Sequence, residues 1–286
     1  MSPTLRSLLD QFDTDPSWPS PPRWRERAQW QERIERASLG LAADAAELLR
    51  ARADAAQARL DAADAQWAAT LRARIAAGEG ARLLREWLRE SPPHADGEGY
   101  DPLDALLGAV LDLAEPEGEV AAPAPQTVFY QPTPARHLLD LLARLELGAD
   151  DVLIDLGSGL GHVPLLVAAC TPARGLGIEH EAAYVDSARL CARALGLRRA
   201  DFVHADARAA DLSAGTVFYL YTPFTGDLLA QVLERLRALA ARRAIRIASL
   251  GPCTQTLATQ PWLRASQPSW AADRIALFAA GPSLPG

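Results

Sequence analysis

The 286-residue chain contains no lysine and no asparagine, a single methionine and only three cysteines. Lysine and asparagine share A-rich codons, so their joint absence points to a GC-rich genome and carries no mechanism. Cys170, Cys191 and Cys253 stand too far apart for a metal-ligand pair or a disulfide framework, and read as small apolar fillers. The five histidines show no spacing of the H-E-x-x-H kind, so no metal is expected. No apolar run approaches the ~20 residues that a membrane span needs. Near the start, Arg6 is followed by Asp10, Asp13 and Asp15, against the pattern of a signal peptide, and a cytoplasmic location is expected.

A basic stripe is missing as well. Residues 1–120 carry 14 arginines and 22 acids, a net of −8, whereas residues 121–286 carry 15 arginines and 14 acids, a net of +1. Nucleic-acid binders show the opposite footprint, so DNA or RNA is not expected as a partner. The local cluster Arg242-Arg243-Arg246 reads as the solvated end of a helix beside a strand.

What is present divides the chain in two. From Pro22 to Glu90 the sequence is rich in Ala, Leu, Arg and Glu, and apolar residues recur at Leu49, Ala53, Ala56, Leu60, Ala63, Trp67, Leu71 and Ile75. Steps of three and four mark one face of a helix. Breaks at Gly40 and Gly78-Glu79-Gly80 give two or three antiparallel helices, ended by Ser91-Pro92-Pro93. A short helix is expected over Leu103–Leu113, and Pro116, Gly118, Pro123 and Pro125 mark a linker. Residues 1–114 are thus expected to form an all-α N-terminal domain, 115–127 a linker and 128–286 a second domain. Five of the seven tryptophans, at 18, 24, 30, 67 and 87, fall in the helical part and read as core, a substrate-pocket lining being the alternative.

From Val128 onward strand-like and helical patterns alternate. Strands are expected at 152–155, 175–179, 202–204, 217–221 and 244–250, with helices between them and another over 135–147. That alternation implies an α/β domain with a doubly wound, mostly parallel sheet and right-handed crossovers. Residues 262–265 and 274–278 leave little room for a helix between them and read as a closing antiparallel pair, bringing the sheet to seven strands.

The most informative segment is Asp155-Leu156-Gly157-Ser158-Gly159-Leu160-Gly161, which follows the strand-like Val152-Leu153-Ile154 and leads about 20 residues on to Gly177-Ile178-Glu179. Glycines let the backbone turn sharply and approach a ligand closely. A dinucleotide fingerprint would place its third small residue at position 162, which is His162. Asp155 would repel a pyrophosphate but attract an ammonium or a sulfonium, so a cationic nucleoside cofactor fits better. Glu179, one segment on, is placed to grip a ribose diol. The rival readings are plain: Asp155 as the cap of its turn, and Glu179 as a helix-start acid favoured by the macrodipole.

D-x-G-x-G-x-G resembles motif I of the class I S-adenosylmethionine-dependent methyltransferases, over roughly residues 128–281. Tyr130–Pro134, Asp155–Gly159 and Gly177–Glu179 are most similar to the non-SET histone-lysine methyltransferases and their bacterial relatives. The resemblance implies S-adenosyl-L-methionine as cofactor. It places Gly157, Ser158, Gly159 and Gly161 under the methionine and ribose, Asp155 at the amino group, Glu179 with the adjacent His180 at the ribose, and Asp206-Ala207 at the adenine. Thr133, before the helix at 135, would hold the cofactor carboxylate, as unpaired amides at a helix start favour anions. Tyr130 and Tyr221 face the reacting side and are the candidate catalytic residues. Tyr221-Thr222-Pro223-Phe224 lacks the Asn- or Asp-Pro-Pro of base-amino methyltransferases and the Asn-containing segment of the histone enzymes, and no strong base is evident. His162, His180 and His204 are weaker candidates for that part. Methyl transfer to a small molecule or protein is the expected function, with a non-catalytic cofactor-binding scaffold as the alternative. The helical part would cover the pocket, recognise the acceptor or support a homodimer.

Overall fold

A computed structural model describes residues 4–39, 47–90, 99–113, 128, 130–267 and 270–282. The expected breaks at Gly40 and Ser91-Pro92-Pro93, the linker 115–127 and Phe129 lie outside the described residues. The helices before the sheet are α1 (Leu5–Thr14), α2 (Trp24–Ser38), α3 (Glu47–Ala76), α4 (Gly80–Glu90) and α5 (Pro102–Leu111). One compact unit comprises Met1–Ala73 with Asp101–Val110, the other Arg74–Tyr100 with Leu111–Gly286.

In the first unit, Leu8, Leu9 and Phe12 of α1, Trp30 and Ile34 of α2, and Ala53, Ala56 and Leu60 of α3 bury one apolar cluster with Trp18. The alanines on the α3 stripe keep its buried face narrow. Gln31 bonds Asp61 at 3.0 Å while Arg27 pairs with Asp64, so α2 and α3 run antiparallel. Arg27 is fully buried, and its guanidinium also donates to Trp18 O (3.2 Å), Ser20 O (2.8 Å) and Pro21 O (3.0 Å). Trp18, Trp24, Trp30 and Trp87 are buried as expected, and Trp67 is only partly so. Sequence periodicity missed α1, whose ten residues offer fewer than three turns to detect.

The boundary expected at 114 differs from the compact units, because α4 groups with the sheet. Gly80 at its start lies so close to the end of a sheet-flanking helix that an added Cβ would sit 1.9 Å from the carbonyl oxygen of Ala169. Leu83, Leu84 and Trp87 follow at helical spacing and are buried.

The second unit continues with α6 (Ala135–Leu145), β1 (Val152–Leu156), α7 (His162–Cys170), β2 (Arg174–Glu179), α8 (Ala182–Ala194), β3 (Ala200–His204) and β4 (Val217–Tyr221). It ends with α9 (Gly226–Ala240), β5 (Ile245–Leu250), α10 (Cys253–Ala258), β6 (Arg264–Ala265) and β7 (Ala276–Ala280). The strand order is β3-β2-β1-β4-β5-β7-β6, parallel except for antiparallel β7 against β5 and β6. Central strands such as Val-Leu-Ile-Asp-Leu are covered on both faces and therefore read as near-continuous apolar runs. The seven strands, their mostly parallel pairing and the closing pair match the sequence expectation. Between β1 and β4 the strand order reverses, and in such sheets ligands bind outside the carboxyl ends at that crevice.

Candidate functional site

At the reversal, β1 delivers Asp155 and β4 delivers its register partner Tyr219. A cavity of about 50 Å³ opens there, bordered by Tyr130, Thr133, Asp155, Gly157, Ser158 and Tyr221. All six were expected at the site. Tyr219, which was not singled out, borders the same cavity, and its hydroxyl lies 3.0 Å from Thr133 Oγ1. The alternation of Val-Phe-Tyr-Leu-Tyr places Tyr219 and Tyr221 on one face, which is the signal that could have found it.

Asp155 is only 4% exposed, and its carboxylate has no hydrogen-bond partner among the described residues. Burial pushes its carboxyl well above the usual carboxylate range, and the nearby charge of Glu179 adds to the shift. Ser158 Oγ, also on the cavity, is buried without a partner. Buried polar groups are as a rule satisfied, so an unpartnered hydroxyl beside an acid that opens on the same cavity is a local cost. Asp155 is not the turn cap of the rival reading, since it accepts no amide of that turn.

The loop after β1 is tied to β2, with Gly157 N and Ser158 N donating to Ile178 O at 2.9 and 3.1 Å. Gly157 (φ +82°) and Gly159 (φ +51°) have the left-handed geometry that favours glycine. A Cβ at Gly157 would meet Pro223 Cβ at 2.3 Å, and one at Gly159 would meet the Tyr130 ring at 1.9 Å. Gly161 (φ +86°) turns the chain into α7, and a Cβ there would meet Phe202 and Ala188. Its glycine identity is explained by that contact.

Glu179 ends β2, with Oε2 accepting from Gly159 N at 2.8 Å and Oε1 from His180 N and Glu181 N at 2.7 and 2.9 Å. It therefore holds the glycine loop and the next turn in one geometry. The cap of α8 is Glu181, whose side chain accepts from Ala183 N. His180 is exposed, and its carbonyl lies 2.8 Å from His204 Nε2. Asp206 is gripped by Arg208, whose Nε lies 3.0 and 2.9 Å from its two oxygens, and that guanidinium holds its carboxyl below the ordinary range. Ala207 is buried in the core between sheet and helices.

Tyr130 lies over the glycine loop, its hydroxyl 3.1 Å from His162 Nδ1 and its ring 5.1 Å from that of Tyr184. Burial raises the Tyr130 phenol above its ordinary value and lowers His162 to about 4, so both are neutral at pH 7. Thr222 has φ +39°, a rare geometry for a β-branched residue. Its hydroxyl donates to Leu250 O and accepts from Cys253 N, both at 3.1 Å, which fixes the turn after β4 rather than facing an acceptor. That strained turn aims Tyr221 at the cavity and sets Pro223 against Gly157.

Away from the cavity, Arg243 donates to Ser213 O and Gly215 O, and Arg246 to Leu145 O and Asp151, so two of the three clustered arginines are structural. Among the described residues no group of three or more His, Cys, Asp or Glu is placed to hold a metal ion, and no helix is long and apolar enough to cross a membrane.

Residues 126–259 match the family model described as histone methylation protein DOT1. No curated protein matches the chain. Among solved structures, it is similar to an RNA methyltransferase from Salinibacter ruber in complex with S-adenosyl-L-homocysteine, at 23% identity and TM-score 0.44 over 54% of this chain and 97% of that one. The putative methyltransferase yhhF from Escherichia coli is 20% identical, with TM-score 0.45 over 57% of this chain and 92% of its own. The precorrin-6y C5,15-methyltransferase from Geobacter metallireducens GS-15 is 18% identical, with TM-score 0.42 over 55% and 93%. Sheet order and motif agree: the second unit has the seven-stranded class I methyltransferase fold, and residues 126–259 are similar to the DOT1 histone-methylation family.

Proposed function

We propose that this domain binds S-adenosyl-L-methionine across the carboxyl ends of β1, β2 and β4 and transfers its methyl group to a small-molecule or protein acceptor. The observation that carries the reading is Asp155, a buried carboxylate at the cavity with no partner of its own among the described residues. A cationic ligand supplies what the fold leaves out, whereas a pyrophosphate would meet repulsion.

When bound, the cofactor supplies an electrophilic methyl on a good leaving group, so alignment and desolvation provide much of the rate. Asp155 holds the ammonium of the methionine portion. Gly157, Ser158 and Gly159 form the floor, Ser158 Oγ offering an unused hydroxyl. Glu179, its two oxygens already oriented by loop amides, presents its remaining acceptor capacity to the ribose hydroxyls. Thr133 and the first amides of α6 receive the carboxylate. His180 stands beside Glu179 at the ribose, and Asp206 and Ala207 border the adenine end, where Asp206 divides its capacity with Arg208. Tyr130 and Tyr221 exclude water and orient the acceptor.

A cavity of about 50 Å³ is far below the ~300–1,000 Å³ of ordinary small-molecule pockets. The Tyr130 ring therefore leaves the face of Gly159 on binding, and its hydroxyl gives up His162. Calorimetric titration of the full chain with S-adenosyl-L-methionine, followed by incubation of labelled cofactor with cell extract, tests the proposal. Binding and a labelled product are expected. Binding without product over long incubation would favour a scaffold, and no binding at millimolar cofactor would reject the cofactor assignment.

A further inference from the structure

A second groove, of about 560 Å³, lies between the last turn of α8, the turn after it and the beginning of β3. β3 is the edge strand of the sheet, and its amino end is opposite the carboxyl ends that form the methyl-transfer site. The groove is therefore a separate feature. Its polar lining is Arg189, Arg193, Arg198 and Asp201, set on an apolar floor that includes Leu197 and Phe202.

The arginines are not equivalent. Arg189 donates from Nε (3.2 Å) and Nη2 (2.8 Å) to the carbonyl of Phe202, which caps the open edge of β3, and it lies 3.4 Å from Asp186. Asp201 is engaged by Arg174 at 3.1 Å. The side chains of Arg193 and Arg198 are exposed and make no hydrogen bond or ion pair among the described residues. Arg193 sits in the last turn of α8, where the macrodipole alone would favour a cation, but Arg198 lies outside any helix. Three carbonyls at the helix end are satisfied locally. Leu195 N, Gly196 N and Leu197 N take up the carbonyls of Cys191, Arg193 and Ala192, with Gly196 at φ +66°.

We propose that this groove is a binding site for a phosphate-bearing ligand, held by Arg193 and Arg198 with Arg189 as a fixed third cation. Guanidinium forks match phosphate oxygens bidentately, and three arginines line the groove against one carboxylate, Asp201, which Arg174 already engages. The volume lies in the range of small-ligand pockets. The phosphate comes either from a free polyphosphate, as in a nucleoside triphosphate, or from the backbone of a single-stranded RNA. The site is independent of the methyl-transfer reading.

The test titrates the full chain with inorganic tripolyphosphate, with ATP and with a short single-stranded oligoribonucleotide. The proteins compared are wild type, the Arg193→Ala/Arg198→Ala double variant and Arg242→Ala, which removes one exposed arginine elsewhere. At least one probe is expected to bind wild type and Arg242→Ala alike, and the double variant about tenfold or more weaker. Tripolyphosphate and ATP binding alone identifies the free ligand as the source. Oligoribonucleotide binding alone identifies the chain, and the double variant then lowers the slope of log affinity against log salt by about 1.4, at ~0.7 per phosphate contact. Failure of all probes on wild type at millimolar concentration overturns the proposal, as does equal loss in Arg242→Ala or no loss in the double variant.

Discussion

Each unit of this protein buries an ionisable side chain, and the two are treated in opposite ways. In the helical unit, Arg27 is fully covered and meets Asp64 and three carbonyls of the 18–21 turn. In the sheet unit, Asp155 is nearly as covered and meets nothing among the described residues. A buried charge with a full set of partners specifies a fold, whereas one without partners is a cost that folding alone does not explain. The comparison separates structure from site more sharply than burial does by itself.

Removing the satisfied charge should have the largest effect. Arg27→Ala leaves Asp64 and the turn carbonyls without their donor, and is expected to destabilise the helical unit by ~3–5 kcal/mol in denaturant unfolding. A loss within experimental error would show that Arg27 is a tolerated passenger and erase the contrast. Next comes the acid proposed to hold the ribose: Glu179→Ala is expected to weaken S-adenosyl-L-methionine binding by ~1.5–3 kcal/mol, the scale of hydrogen bonds to a charged group. An unchanged dissociation constant by calorimetry would overturn the ribose role proposed for Glu179.

Asp155→Asn should move stability in the direction opposite to Arg27→Ala. The folded chain holds the Asp155 proton more tightly than the unfolded chain. Its contribution is therefore complete in acid and falls as pH rises from the ordinary carboxylate range toward the raised folded value. The asparagine variant lacks that fall, so without cofactor it should melt higher than wild type at pH 7. A lower melting temperature would mean that the carboxylate is satisfied after all. The smallest effect belongs to His162, lowered from 6.5 to about 4 by burial. Its contribution is present above pH 6.5 and is lost as pH falls toward 4, because the unfolded chain protonates first. Melting curves of His162→Gln over that window should be flatter than those of wild type, and parallel curves would contradict the assignment.

The sheet was legible because its signals are local: glycines that turn, apolar runs for central strands, and a closing pair too near for a crossover. Asp155 and Glu179 were legible for the same reason, each ending a strand that the pattern marks. Tyr219 was visible as a strand residue but not as a site residue, since its role depends on Thr133, 86 residues away. Gly161 reads in sequence like its neighbours, and only the fold shows that a Cβ there would meet Phe202 on a distant strand. Asp206 was legible as an acid after β3, but its grip by Arg208 depends on a side-chain rotamer. The place of α4 was hidden because Gly80 looks like a simple helix break until its contact with Ala169 is seen.

The most direct test is calorimetric titration of wild type and Asp155→Asn with S-adenosyl-L-methionine across a pH series. The expected result is wild-type binding that strengthens as pH rises through the raised Asp155 value and releases a proton, with weak, pH-insensitive binding in the variant. Equal binding by both proteins, or none by wild type, would contradict the account.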